Sequence, residues 1–132
     1  MKKLFSFFIL IGLSTNTYAN SLIIYTYDSF ISEWGPGPVI EKIFEEKFDT
    51  NIDFITVDSA ATLLNKVILE GSSTKADIIL GLDMNIIDEA NKSNLFTDHP
   101  IKNLEKKLIL PINWQSKKFV PYNFGYFAFV YN

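Results

Sequence analysis

Residues 21–48 read SLIIYTYDSFISEWGPGPVIEKIFEEKF, and how this stretch is parsed decides the fold. Ser21 to Tyr27 is short, apolar and rich in β-formers, which is the composition of a strand. Two Gly-Pro steps, Gly35-Pro36 and Gly37-Pro38, then forbid a continuing strand or helix. Pro38 suits the first turn of a new helix, where its missing N–H costs nothing. Beyond it Val39, Ile40, Ile43, Phe44 and Phe48 recur on one face at helical spacing. The stretch therefore predicts a strand, a rigid loop carrying Trp34, and an amphipathic helix.

Downstream the same pattern repeats. Asn51 to Val57 (NIDFITV) reads as a second strand. Asp58 or Ser59 is placed to cap a helix with the apolar stripe Leu63, Leu64, Val67 and Ile68, stopped by Gly71. Asp77 to Leu82 (DIILGL) is a third strand, apolar enough to be buried on both faces. Ile86, Ile87 and Ala90 predict a short third helix. Alternating strands and helices of this length give an α/β fold, an open, mostly parallel sheet flanked by helices. Residues 97–118 read as loop with at most one short element. Phe119 to Tyr131 (FVPYNFGYFAFVY) is aromatic, alternating and strand-like. An apolar strand directly before Asn132 is an uncovered edge, so the sequence is expected to be a piece of something longer.

Upstream, Lys2 and Lys3 precede an apolar run from Leu4 to Leu13 and a polar break ending Thr17-Tyr18-Ala19. The run is about half the roughly 20 residues that a membrane span requires. Residues 1–19 are therefore expected to be a signal peptide cleaved after Ala19, with export to the periplasm. Residues 20–132 form one domain.

Removing the two leader lysines leaves 10 Lys against 15 acidic residues, a net charge of −5, and the chain has no arginine. An acidic, arginine-free domain is a poor binder of phosphate backbones, which argues against nucleic acid. Cysteine is absent, so thiol catalysis, thiolate metal sites and disulfides are excluded. The single histidine, His99, stands in a Thr-Asp-His-Pro stretch without a neighbouring His or Cys, as a solvated loop residue. No glycine-rich phosphate loop, GxSxG or acid–base pair is present, so no enzyme is expected.

In open parallel sheets ligands bind beyond the carboxyl ends of the strands. Three such exits carry turn-forming residues here: Tyr27-Asp28-Ser29, Asp58-Ser59-Ala60 and Gly81-Leu82-Asp83. Candidate binding residues are Tyr27, Trp34, Asp58, Ser59, Ala60 and Asp83. Several have plainer readings. Asp58, Ser59 and Asp83 serve equally as helix caps, and Trp34 as cover for the core edge. Against Tyr27 and Trp34 a flat or cationic ligand gains roughly 0.5–2 kcal/mol per favourable ring contact.

The segments YTYDSF, EWGPGP, LLNK, LEG, KADIILGLD and FVPYNFGYFAFVYN resemble, in order and spacing, the amino-terminal part of the thiamine-binding periplasmic proteins, from about Leu22 to Asn132. The resemblance implies a periplasmic-binding-protein-like type II fold of which this is the first lobe only. It implies thiamine, or a thiamine phosphate, as ligand, with no cofactor and no metal. It also implies an ABC transporter permease in the inner membrane as partner, and a monomer. Related binding proteins for iron or a polyamine are the alternative, as is a truncated product without function. Trp34, Tyr27 and Asp83 match the family's residues. Its Asp-Gly pair at the second strand exit is replaced by Ser59 and Ala60, preceded by Asp58.

Overall fold

The structure is a computed structural model, and it describes residues 21–109, 113–125 and 128–131. The expected leader, residues 1–19, lies outside them. The elements run β1 (Leu22–Tyr27), α1 (Asp28–Ile31), α2 (Gly37–Phe48), β2 (Ile52–Val57), α3 (Ala60–Glu70), β3 (Ile78–Ile79), α4 (Ile87–Ser93) and α5 (Leu104–Lys107).

The three strands form a parallel sheet of order β2-β1-β3. β1 lies level with β2 along its whole length, from Leu22 opposite Ile52 to Tyr27 opposite Val57. β3 is paired at Ile24–Ile78 and Tyr25–Ile79. Hydrogen bonds from Asp77 N–H to Ile23 O and from Leu80 N–H to Tyr25 O, both 2.9 Å, extend that pairing at either end.

Strand alternation assigns the two faces. Tyr25 shares one face with its partners Ile55 and Ile79, and there it packs with Leu63 and Val67 of α3. Ile24, Phe54 and Ile78 point the other way, toward the side where the Phe30 ring of α1 meets Phe54 edge-on at 6.0 Å. Helices thus flank the sheet on both sides, as the alternation of elements predicts. The buried hydrophobic side chains are Ile24, Tyr25, Phe30, Ile52, Leu63, Leu64, Val67, Ala90 and Leu104, with Thr26 buried among them.

Several expectations change. α2 begins at Gly37, one residue before Pro38, and its apolar stripe is exposed. The third strand is two residues long and half open, with Ile78 42% exposed, so it is not buried on both faces. It is an edge strand, and the helix covering its Ile79 face leaves its Ile78 face to solvent. The described residues of the strand expected over 119–131 have no regular structure, and Phe129, Val130 and Tyr131 lie open. Alternation specifies the face a strand would bury, but a strand also needs a neighbour to receive its N–H and C=O groups. Among the described residues, none pairs with this one. Asp28 and Ser29, expected as a turn, open the single-turn helix α1.

A candidate ligand rim at the strand exits

Because the strands are parallel, their carboxyl ends share one border of the sheet. Tyr27 is level with Val57, so Asp58 and Ser59 leave β2 beside it. Two residues past the Tyr25–Ile79 pair, the chain reaches Gly81 at the level of Tyr27. Here Gly81 has φ +111°, and a side chain on it would run into the Tyr27 ring edge, at Cδ1 and Cε1. Only glycine meets both demands. The contact joins the first and third exits, placing Tyr27 and Asp83 in one cleft of ≈ 1240 Å³ with Gly81, His99, Trp114 and Tyr122. Trp34, Asp58, Ser59 and Ala60 follow the first and second exits and do not line that cleft.

The Gly-Pro loop carrying Trp34 is shaped by backbone contact. A Cβ on Gly35 would collide with the carbonyl oxygen of Phe30, and one on Gly37 would come within 2.7 Å of it. The chain therefore folds back tightly over α1, with Gly35 N–H donating to Ser32 O at 2.8 Å. Trp34 is thrown outward at the bend and is 80% exposed, so it covers no core edge.

Of the three capping candidates only Ser59 fills the role: its Oγ accepts the Thr62 N–H at 3.2 Å at the start of α3. Asp83 does not cap α4, whose N-cap is Ile86 with no side-chain cap; its Oδ1 accepts the Asn85 N–H at 2.8 Å in the turn before that helix. Asp58 and Ser59 are exposed and Ala60 is half-buried. His99 is more than a solvated loop residue: its backbone N–H donates to Lys117 O at 2.8 Å, and its Nδ1 accepts the Ile101 N–H at 3.2 Å. It is half-buried, tying residues 97–101 to the 113–125 segment. Among the described residues no group of His, Cys, Asp or Glu is arranged to hold a metal ion.

Reading the sequence missed Tyr122. Its hydroxyl hydrogen-bonds the Tyr27 hydroxyl, and its ring stands edge-on to Phe30 at 6.3 Å. Burial, with the Tyr27 hydroxyl beside it, pushes its phenol well above the ordinary tyrosine range. The only signal was an aromatic residue flanked by Pro121 and Asn123, inside a run that reads as a strand.

A parallel three-stranded sheet with helices on both faces and its exits on one border is one lobe of a periplasmic-binding-protein-like type II fold. A solved periplasmic thiamin binding protein superimposes with a TM-score of 0.67 at 37% identity, over 74% of this chain and 30% of that one. No protein-family model matches the chain. The thiamine-binding periplasmic protein of Brucella suis is 46% identical over 129 residues, covering 97% of this chain and 38% of its own length. Those of Escherichia coli and Haemophilus influenzae are 41% and 43% identical, over 84% and 85% of this chain and 33% of theirs. The chain is thus a homologue of the thiamine-binding periplasmic proteins, and it spans about a third of the length of these relatives.

Proposed function

We propose that the chain supplies one wall of a thiamine site in a periplasmic binding protein that delivers thiamine, or a thiamine phosphate, to an ABC import permease of the inner membrane. Residues 1–19 act as its cleaved leader, and residues 20–132 form the lobe. The observation that carries this reading is the shared rim. Tyr27, level with Val57 and in contact with Gly81, stands at the meeting point of all three exits in a chain 41–46% identical to proteins named for thiamine. The iron and polyamine alternatives gain no support from these relatives.

Thiamine is a flat aromatic cation, and the rim offers what such a ligand needs. Tyr27 and Trp34 present ring surface, and Asp58 and Asp83 present carboxylates. Nothing is done to the ligand chemically. Binding energy instead favours a closed form, since contacts made to two walls at once stabilise closure and contacts to one wall do not. A monomer suffices for this cycle.

The test is a chimaera in which residues 22–132 replace the matching segment of the Escherichia coli relative. It should bind thiamine and show a change in tryptophan fluorescence on doing so. Trp34→Ala should weaken that binding by about 2- to 30-fold, the equivalent of one cation–ring contact. A chimaera with native circular dichroism and no thiamine affinity would overturn the proposal. Equally tight binding by the 132-residue chain alone would overturn the closure argument.

A further inference from the structure

Tyr27 ends β1, but the sheet does not hold its ring. The ring edge lies against the Gly81 backbone, the ring meets Phe30 in a T-shaped contact at 6.0 Å, and its hydroxyl bonds that of Tyr122. Tyr122 arrives 95 residues later, in a segment without regular structure, so something must fix it in turn. Phe30, 1% exposed, is the anchor for its ring. The segment itself is tied to residues 96–99, where Lys117 O accepts the His99 N–H at 2.8 Å and Phe119 packs on Phe96 at 5.2 Å, and it is braced internally by Trp114 Nε1–H donating to Phe119 O at 2.7 Å.

We propose that Tyr122 is the positioning residue of the rim: its hydroxyl and ring hold the Tyr27 ring against Gly81, so that the aromatic surface is set before a ligand arrives. The arrangement follows from the geometry alone; that the ligand is thiamine rests on the function proposed above. A side chain already held in its bound orientation loses less freedom on binding. The hydroxyl pair supplies direction, and the edge contact with Phe30 supplies depth. Neither could come from the sheet, since β3 ends two residues short of Gly81.

Gly81 reports on this directly, because its α-protons lie at the Tyr27 ring and carry a ring-current shift. In the 132-residue chain, Tyr122→Phe keeps the ring on Phe30 and removes only the hydroxyl. We expect the Gly81 resonances to move toward random-coil values, while the methyl groups of Leu63 and Val67 in the α3 core stay in place. Tyr27→Phe should have the same effect, and the double variant should add nothing further. A purely structural loss would move the core methyl groups too. Gly81 resonances unchanged in Tyr122→Phe would overturn the proposal, even if Tyr122→Ala fails to fold. In the chimaera, Tyr122→Phe should weaken thiamine binding several-fold, and undiminished affinity would overturn the positioning role. A chimaera that binds no thiamine at all would refute the functional reading, leaving the Gly81 shifts to decide the tyrosine pairing.

Discussion

Two helices of nearly equal length, α2 and α3, carry the same apolar periodicity and meet different fates. In α3, Leu63, Leu64 and Val67 are 0, 2 and 2% exposed. In α2, Val39, Ile40, Ile43 and Phe48 are 61, 45, 58 and 53% exposed, and only Gly37 is buried. Partial shielding comes from within α2 itself, where Phe44 packs on Phe48 at 4.6 Å and Lys47 lies over the Phe48 ring. Periodicity shows which face of a helix is apolar. Whether that face is covered depends on which neighbours reach it, and α3 has the Tyr25 face of the sheet while α2 meets mainly α1 and β2, with its apolar face left open.

The largest effect that follows is on stability. Leu63→Ala removes a fully buried side chain and should lower the unfolding free energy by about 2–5 kcal/mol. Ile43→Ala deletes as many apolar atoms from an open face and should stay within about 0.5 kcal/mol of the parent. Urea midpoints at constant slope measure both. Equal losses at the two positions would show that α2 is covered in solution and would break the contrast.

The same logic separates what the sequence made legible from what it did not. Ser59 as cap, Leu63, Leu64 and Val67 of the stripe and Gly71 as stop are where α3 has them, because capping and helical spacing are local, while Ile68, the fourth residue of the expected stripe, is 38% exposed. Tyr27, Ser59 and Asp83 could be placed on one border because parallel strands share their direction, which alternation of strands and helices already implies. The exposure of α2, the brevity of β3 and the lack of regular structure in the described residues of 119–131 were not legible, since each depends on partners far along the chain. Tyr122 is the clearest case. Nothing near Pro121 or Asn123 indicates that its hydroxyl meets Tyr27 across 95 residues. The glycines were legible as breakers, but the reason for them, the Phe30 carbonyl and the Tyr27 ring, was not.

A smaller effect sharpens the comparison at the helix starts. α3 has a side-chain cap from Ser59, whereas α2 starts after Pro36 with none. Ser59→Ala should cost about 1 kcal/mol of stability. Ser59→Asp retains a capping oxygen and should restore it, while also returning an acid to the position where the related proteins are expected to hold one. If thiamine affinity in the chimaera rises with Asp and is unchanged with Ala, Ser59 is a cap that has lost a binding role. If both substitutions lower affinity at equal stability, the serine itself touches the ligand.

The smallest effect concerns one ion pair on each helix, both at i,i+4 spacing. Lys66 and Glu70 of α3 meet at 2.6 Å, and Glu70 also accepts from Thr74 Oγ1 at 2.9 Å and from the Tyr25 hydroxyl at 3.4 Å. Lys42 and Glu46 of α2 are 4.0 Å apart with side chains 76 and 69% exposed. The hydrogen bond from Lys66 holds the Glu70 carboxyl below its ordinary 4.5, and the bond to Glu70 holds the Lys66 ammonium above 10.5. A carboxylate with a lowered pKa stabilises the fold fully above 4.5 and loses that contribution as pH falls through its folded value. An ammonium with a raised pKa contributes below 10.5 and loses it as pH rises through its folded value. Glu70→Gln should therefore flatten the decline of stability on the acid side of 4.5, read as urea midpoints across pH. At 33 and 26% exposure the α3 pair is partly screened, so the change is modest and should shrink further in high salt. An acid limb unchanged in Glu70→Gln would mean that the closer contact and the extra donors around Glu70 add nothing to the α3 pair.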